Sequence, residues 1–247
     1  MFTRNVAHGI HRIEHAYVNT YLVEDDAGVA IIDAGLPGMW NELTGALKQL
    51  GYGPGDVTAL VLTHAHFDHV GTAARIRAEY RTPILVHRED EYIAAHPYCY
   101  LHENNRFQYP VRYPKSLRYL GSMTLAGALN VRGVTDVHPL TGASGPALPG
   151  APEVLLTPGH TAGHVALHFR GRGALICGDS LVTLDPYTGA TGPQIVAGAA
   201  TANSTQALKS LSTLAETDAP VLLTGHGEPW TDGAAAAVEQ ALQRGAS

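Results

Sequence analysis

The chain has 247 residues, of which 45% are hydrophobic and 15% are charged, a balance typical of a folded globular protein and not of a disordered chain. Its formal net charge of -6, with no long run of either sign, argues against a general binder of nucleic acid or of anionic membranes. Residues 1–13 contain no signal-like apolar stretch, and no apolar run approaches the roughly 18 residues of a membrane span. The two cysteines lie far apart in the sequence. We therefore expect a cytoplasmic protein without disulfides.

The predicted elements begin with a β-hairpin, in which two apolar or β-branched runs flank a polar turn at residues 24–28. Periodic apolar residues predict a helix over residues 37–50 that ends at Gly51. A buried strand over residues 57–62, a helix over 71–80 and a short strand over 83–87 follow. The first part of the chain is therefore predicted to be rich in strands, with helices between them.

Residues 88–140 have a different character, because prolines and aromatic residues interrupt any regular period apart from a predicted helix at residues 116–129. Loops this long in a compact domain are usually functional or disordered, and the aromatic content favours an ordered segment. We interpret it as an insertion that either covers the site as a lid or forms the contact of a homodimer. Its basic residues could hold an anionic or aromatic substrate or form a solvated rim.

A connection rich in glycine, proline and alanine is predicted over residues 142–152, after which the strand pattern returns. Four strands and two helices are predicted in this part, at residues 153–156, 164–169, 174–177, 203–215, 220–223 and 231–244. Because strands and helices alternate in both halves, we expect an α/β fold in which helices cover sheets.

Residues 63–69 hold three histidines and one aspartate directly after a predicted buried strand. Imidazole and carboxylate groups are the ligands of a borderline divalent metal such as zinc. In an extended segment alternate side chains share a face, so His64 and His66 can bind one ion together. Asp68 and His69 lie on the bend into the next helix and can reach a second ion.

Three later segments repeat one arrangement, in which a predicted strand ends, a glycine-flanked loop follows, and a metal-type ligand is exposed. These ligands are His160, Asp179 and His226. Strand-end loops combine a rigid scaffold with an open cleft, and glycines let the backbone approach closely.

The order and spacing of these motifs resemble the metallo-β-lactamase-fold superfamily of hydrolases, as does the segment at residues 32–35. The resemblance extends over about residues 17–230 and implies an αββα sandwich of two mixed β-sheets flanked by helices, so that residues 1–247 form a single metallo-hydrolase domain carrying the 88–140 insertion. It also implies two divalent metal ions, expected to be Zn²⁺, with iron or manganese as alternatives. The implied ligands are His64, His66 and His160 for the first ion, Asp68, His69 and His226 for the second, and Asp179 as the bridge.

Four further residues are candidates around these ligands. Asp33 and Thr63 could hydrogen-bond the metal-binding imidazoles, which usually require such a partner, although Asp33 fits a strand-end turn equally well. His164 is expected to orient a ligand or to pack, and not to act as an eighth ligand. The phenol of Tyr187 could donate to the carbonyl oxygen of a substrate or pack against the insertion.

Within this family several branches fit poorly. Antibiotic hydrolysis is disfavoured because position 179 is an aspartate and no signal peptide is expected. The nucleases of the family carry an extra domain, whereas this chain ends about twenty residues after His226. The oxygen-reducing diiron branch is disfavoured because residue 66 is a histidine. The substrate class that remains is a small thioester, lactone or ester. Hydroxyacylglutathione hydrolases and N-acyl homoserine lactonases act on substrates of this class. The absence of Lys and Arg from residues 181–207 weighs against glutathione. In the expected mechanism a hydroxide shared by the two metals attacks the carbonyl carbon, and Asp68 carries the proton to the leaving group.

Two alternatives stay open. Enzymes resembling persulfide dioxygenases share the motif of residues 64–69 but bind a single iron through fewer ligands. A metal-binding protein without turnover is the other alternative, and it would lack a displaceable water. Metal analysis separates the first of these from a two-metal hydrolase.

Overall fold

A computed structural model describes residues 1–140 and 148–247, so most of the predicted connection at residues 142–152 lies outside the described residues. The elements before residue 88 are β1 (Phe2–Ala7), β2 (Ile10–His15), β3 (Val18–Asp25), β4 (Gly28–Ile32), α1 (Trp40–Leu50), β5 (Val57–Val61), α2 (Ala73–Tyr80) and β6 (Ile84–Val86). The segment 88–140 contributes α3 (Glu91–Ala95), α4 (Tyr109–Arg112), α5 (Ser116–Leu125) and β7 (His138–Pro139). The remaining elements are β8 (Glu153–Leu156), β9 (Val165–Phe169), β10 (Ala174–Gly178), β11 (Val182–Leu184), β12 (Thr191–Gln194), α6 (Ser204–Ala215), β13 (Val221–Thr224) and α7 (Ala234–Arg244).

The strands form two mixed sheets and a short ribbon. The first sheet has the order β1-β2-β3-β4-β5-β6-β7, antiparallel up to β4 and parallel from β4 to β7. The second has the order β13-β10-β9-β8, with β10 parallel to β13 and the other pairs antiparallel. The ribbon pairs β11 with β12.

The two sheets lie face to face because alternate residues of their strands are apolar and point inward. On β3, Tyr21 and Val23 belong to the core between the sheets, where they meet residues such as Phe169 and Ile176. Leu22, on the opposite face of β3, belongs to the core that packs against α1 and α2. The outer face of the second sheet is covered by α6 and α7. The predicted αββα sandwich is therefore confirmed.

The sequence did not predict β1 and β2, because the buried positions of β2 include charged and polar side chains. Arg12 is buried through hydrogen bonds to Asn19 and Glu228, and His11 lies 3.0 Å from a carboxylate oxygen of Glu24. The prediction over residues 116–129 was too long at its carboxyl end, since α5 ends at Leu125. No helix of the described ranges, 1–140 and 148–247, has the length and apolar character needed to cross a bilayer.

Candidate metal centre

The side chains predicted as metal ligands come from four loops, each of which follows a strand. The loops begin after β5, β8, β10 and β13. Strands β8, β10 and β13 run in the same direction, so their carboxyl ends meet at one edge of the second sheet. All seven side chains are buried, namely His64, His66, Asp68, His69, His160, Asp179 and His226.

Asp179 lies at the centre of this cluster. One of its carboxylate oxygens, Oδ2, is 3.3 Å from His226 Nε2, 3.5 Å from His160 Nε2 and 4.0 Å from His64 Nε2. The other oxygen, Oδ1, is 3.7 Å from His69 Nε2. The bridging position that the family resemblance implies is therefore geometrically accessible to this carboxylate.

The remaining ligands separate into two groups around Asp179. In each group the candidate ligand atoms lie within 4.8 Å of one another. The groups are His64, His66 and His160, and Asp68, His69 and His226. They coincide with the two ligand sets that the family resemblance implies.

The donor atoms fit a divalent cation. In the described residues, Nε2 of His64, His66, His69 and His160 and Oδ1 of Asp179 are buried without a hydrogen-bond partner. Such unpaired buried groups are rare in native proteins because each carries a desolvation cost. Two ligands about 2.1 Å from one tetrahedral ion are separated by about 3.4 Å. The separations of 3.3 to 4.0 Å around Asp179 are close to this value.

Asp33 orients one imidazole of each group from behind. Its carboxylate accepts hydrogen bonds from the Thr63 amide at 2.7 Å, the Thr63 hydroxyl at 2.8 Å and His69 Nδ1 at 3.0 Å. Because the Thr63 hydroxyl donates to Asp33, it accepts from His64 Nδ1 at 3.1 Å. In the neutral form of each imidazole, Nε2 then carries the lone pair toward the centre. Asp33 itself also lies near His64 and His69, but its oxygens are occupied by these donors.

His164 has a different role, since both of its ring nitrogens are engaged. Nε2 accepts from the backbone amide of Asp179 at 3.0 Å, and Nδ1 lies 2.7 Å from the hydroxyl of Thr157. Burial lowers the pKa of His164 to about 3, so the ring is neutral. The side chain holds the loop that carries Asp179 and has no lone pair left for an ion.

Three other contacts around the ligands had no signal in the sequence. The Thr201 hydroxyl lies 3.2 Å from His160 Nδ1 and donates to a backbone carbonyl, so it accepts from the imidazole. His226 Nδ1 is 2.8 Å from the carbonyl oxygen of Tyr17, a contact that no side-chain motif encodes. Asp90 accepts from the Ala65 amide and from residues of the loop that holds His160.

Tyr187 faces the cavity that the ligands line, where it meets a second phenol, Tyr100, from the segment 88–140. The Tyr100 ring lies 4.0 Å from the His66 ring, centroid to centroid. Burial raises the pKa of both phenols. Both side chains are therefore neutral at the pH of a cell and can act as hydrogen-bond donors.

The two histidine groups differ in protonation when no cation is bound. Burial lowers the pKa of His64 and His66 and sets that of His160 to about 3, so these rings are neutral. Burial also acts on His69, but the Asp179 and Asp33 carboxylates outweigh it and raise the pKa to about 9. The pKa of His226 is raised in the same way by Asp179 and Asp68 against the effect of burial.

Comparisons with known proteins identify a matching family and several relatives. The family model of the metallo-beta-lactamase superfamily matches residues 14–226. The probable metallo-hydrolase YflN of Bacillus subtilis (strain 168) is 29% identical over 242 residues, which cover 91% of this chain and 86% of that protein. An N-acyl homoserine lactonase of a Bacillus species is 30% identical over 106 residues, covering 34% of this chain and 41% of the lactonase.

Solved structures share the fold. A metallo-beta-lactamase family protein of Thermus thermophilus, TTHA1429, has a TM-score of 0.68 at 23% identity and covers 96% of this chain and 79% of its own. TTHA1623, solved in a di-iron-bound form, has a TM-score of 0.61 at 25% identity and covers 89% of this chain and 92% of its own.

Metal binding should release protons from the second group of ligands. The pKa of His69 is raised to about 9 and that of His226 well above its usual range, so both rings are protonated in the metal-free protein at pH 7 and must lose a proton to bind an ion. Titration calorimetry of the metal-free protein with Zn²⁺ at pH 7, repeated in buffers of different ionisation enthalpy, should give about two protons released per chain. Release should fall as the pH rises past about 9, where His69 is already neutral. Proton release near zero at pH 7 would contradict this assignment.

Replacing Asp33 should weaken metal binding while all seven candidate ligands stay in the protein. Asp33→Asn keeps the shape but removes the charge that holds His69 and, through Thr63, His64. We expect metal affinity to fall by about 10- to 100-fold in competition with a chelator. Asp26→Asn, at an exposed turn, is the matched control and should leave affinity unchanged. Equal affinities in the two variants would remove Asp33 from this role.

Proposed function

The chain belongs to the metallo-beta-lactamase superfamily, and we propose that it is a dinuclear metal-dependent hydrolase of a small ester, thioester or lactone. The observation that carries this proposal is the pair of complete ligand groups that share Asp179 at one cavity. Each group offers three protein ligands and part of a common carboxylate, so a water would complete a five-coordinate site at each ion.

The ligand chemistry supports Zn²⁺ as the native metal. The groups combine imidazole and carboxylate and include neither cysteine. Iron suits the same ligands, and TTHA1623 was solved in a di-iron-bound form. Manganese is the third candidate.

Two ions held by these residues would lower the pKa of a shared water toward neutrality and polarise the carbonyl oxygen of a substrate. The chain itself supplies the proton acceptor. In the metal-free protein burial opposes ionisation of Asp68, but a hydrogen bond from His226 and the charge of His69 lower its pKa. Bound cations would favour the same carboxylate form. Asp68 lines the cavity and can take the proton from the attacking water and pass it to the leaving group.

Tyr187 is the proposed donor to the carbonyl oxygen. Its phenol lines the same cavity as Asp68 and His226, and burial keeps it protonated. A donor aimed at the oxygen where negative charge develops stabilises the transition state more than the ground state. The similarity to N-acyl homoserine lactonases supports a carbonyl substrate of this kind.

A cytoplasmic location and the lack of a nucleic-acid partner stay predictions from the sequence.

Substitution of Asp68 tests the proposed chemistry. Asp68→Asn should lower kcat/KM for any ester, thioester or lactone that the wild type hydrolyses by at least about 100-fold, because the proton acceptor is lost. The assay is a hydrolysis panel run with and without chelator, with circular dichroism to show that the variant folds. Asp232→Asn, exposed before α7, is the control and should match the wild type.

Near-normal turnover by Asp68→Asn would remove this residue from proton transfer. A panel without activity, on protein with two bound metals, would leave the metal site in place and reject the proposed class of substrates.

We also propose that the segment 88–140 forms a homodimer contact. Eight of the eleven large hydrophobic side chains that are exposed in the described residues belong to it, including Leu125 at 92%, Val111 at 83% and Phe107 at 80%. Apolar exposure concentrated in one segment is typical of an interaction surface. Sedimentation velocity should give the mass of a dimer for the wild type and of a monomer for Leu125→Glu combined with Val111→Glu. A monomeric wild type would contradict the proposal.

A further inference from the structure

A second cavity adjoins the one that holds the metal ligands. It has a volume of about 330 Å³, and we call it the side pocket. His66, Tyr100 and His160 line both cavities, so the side pocket opens beside the first ligand group and away from His226. We propose that the side pocket binds one uncharged, apolar substituent of the substrate and excludes substituents that carry a carboxylate. The inference rests on the proposed function, since it defines the substrate class of the same site.

The walls of the side pocket are mainly apolar. Tyr92, Ile93, Tyr100 and Leu101 come from the segment 88–140, and Ala202 comes from the loop before α6. Its volume is at the lower end of small-molecule sites and accommodates on the order of ten non-hydrogen atoms. A short alkyl chain or a single aromatic ring matches both the size and the character of these walls.

The charges of the side pocket disfavour an anion. Its charged lining residues are both acidic, Glu89 and Asp90, and none of the described residues that line it is Lys or Arg. The carboxylate of Asp90 is buried and is satisfied by three donors, while Glu89 is exposed and pairs with Arg88 at 3.5 Å. A carboxylate bound here would lose its hydration without gaining a cation.

Tyr100 lies at the boundary between the two cavities. Its ring packs against the His66 ring at a tilt of 36°, and Arg106 lies 5.0 Å from the Tyr100 ring centroid without lining the side pocket. A substrate whose carbonyl reaches the metal ligands would therefore place a neighbouring substituent past the edge of this ring. The segment 88–140 thus supplies the wall that distinguishes one substituent from another.

The side pocket contains its own reporter. Cys99 lines it and is exposed, whereas the other cysteine, Cys177, is fully buried. A thiol reagent should therefore modify Cys99 alone, at a rate that falls when a ligand occupies the pocket. This measurement requires no turnover.

The test compares iodoacetamide alkylation of Cys99, followed by mass spectrometry on the metal-bound protein, with and without two small amides. Hexanamide and succinamate have the same number of non-hydrogen atoms, but succinamate carries a carboxylate. We expect hexanamide to slow alkylation severalfold and succinamate to leave the rate unchanged. Equal protection by both amides, or protection by neither, would overturn the proposal.

Two variants with matched controls locate the effect. Ala202→Trp fills the side pocket and should abolish protection by hexanamide, whereas Ala235→Trp, exposed on α7, should not. Leu101→Lys adds a cation at a side chain that is 79% exposed, so it should fold normally and gain protection by succinamate. Leu117→Lys, on α5 outside the pocket, should not gain it. Wild-type behaviour of Ala202→Trp and Leu101→Lys would place binding elsewhere.

The same panel separates this inference from the proposed hydrolysis. Protection of Cys99 by hexanamide in a protein that hydrolyses no ester, thioester or lactone would support the side pocket and reject the hydrolase. Hydrolysis that is equally fast for hexanoyl and succinyl thioesters, with no protection of Cys99, would support the hydrolase and reject the side pocket.

Discussion

The Nε2 atoms of four buried imidazoles and one oxygen of the Asp179 carboxylate converge on a space where these atoms have no hydrogen-bond partner among the described residues, and this arrangement constrains the rest of the molecule. Burying these groups unpaired is costly, and a divalent cation is the partner that satisfies several of them at once. The two sheets bring strand ends together at one edge, which is where the ligands can be held rigidly. At Gly225 any added Cβ would meet the Asp179 carboxylate and the His69 ring, so the backbone itself is fitted around the ligands.

Local spacing in the sequence predicts one part of the candidate site. Alternation places His64 and His66 on one face of an extended segment, and the candidate roles of Asp33 and Thr63 follow from the usual needs of metal-bound imidazoles. The grouping of distant ligands needed the family resemblance, because no local pattern relates His160 to His226. The layered fold was predictable for the same two reasons, alternation within strands and the order of the motifs.

The contacts that sequence reasoning missed depend on tertiary structure. Tyr17 orients His226 through its backbone carbonyl, so its side chain carries no signal. Asp90 and Thr201 act across long sequence separations, between loops that only the fold brings together. β2 went unpredicted because its buried polar residues, such as Arg12, find partners that lie far away in the sequence. A strand with buried polar residues can be recognised only when the partners of those residues are known from the structure.

Two parts of the molecule divide the proposed function between them. The strand-end loops bring the candidate metal ligands together, whereas the segment 88–140 brings Tyr100 and Leu101 to the side pocket. The central claim is that both ligand groups bind an ion. The most direct test is metal quantification by mass spectrometry on the purified wild type and on His226→Ala. The account predicts two zinc ions per chain in the wild type and one in the variant. A single ion per chain in both proteins, above all a single iron, would contradict it.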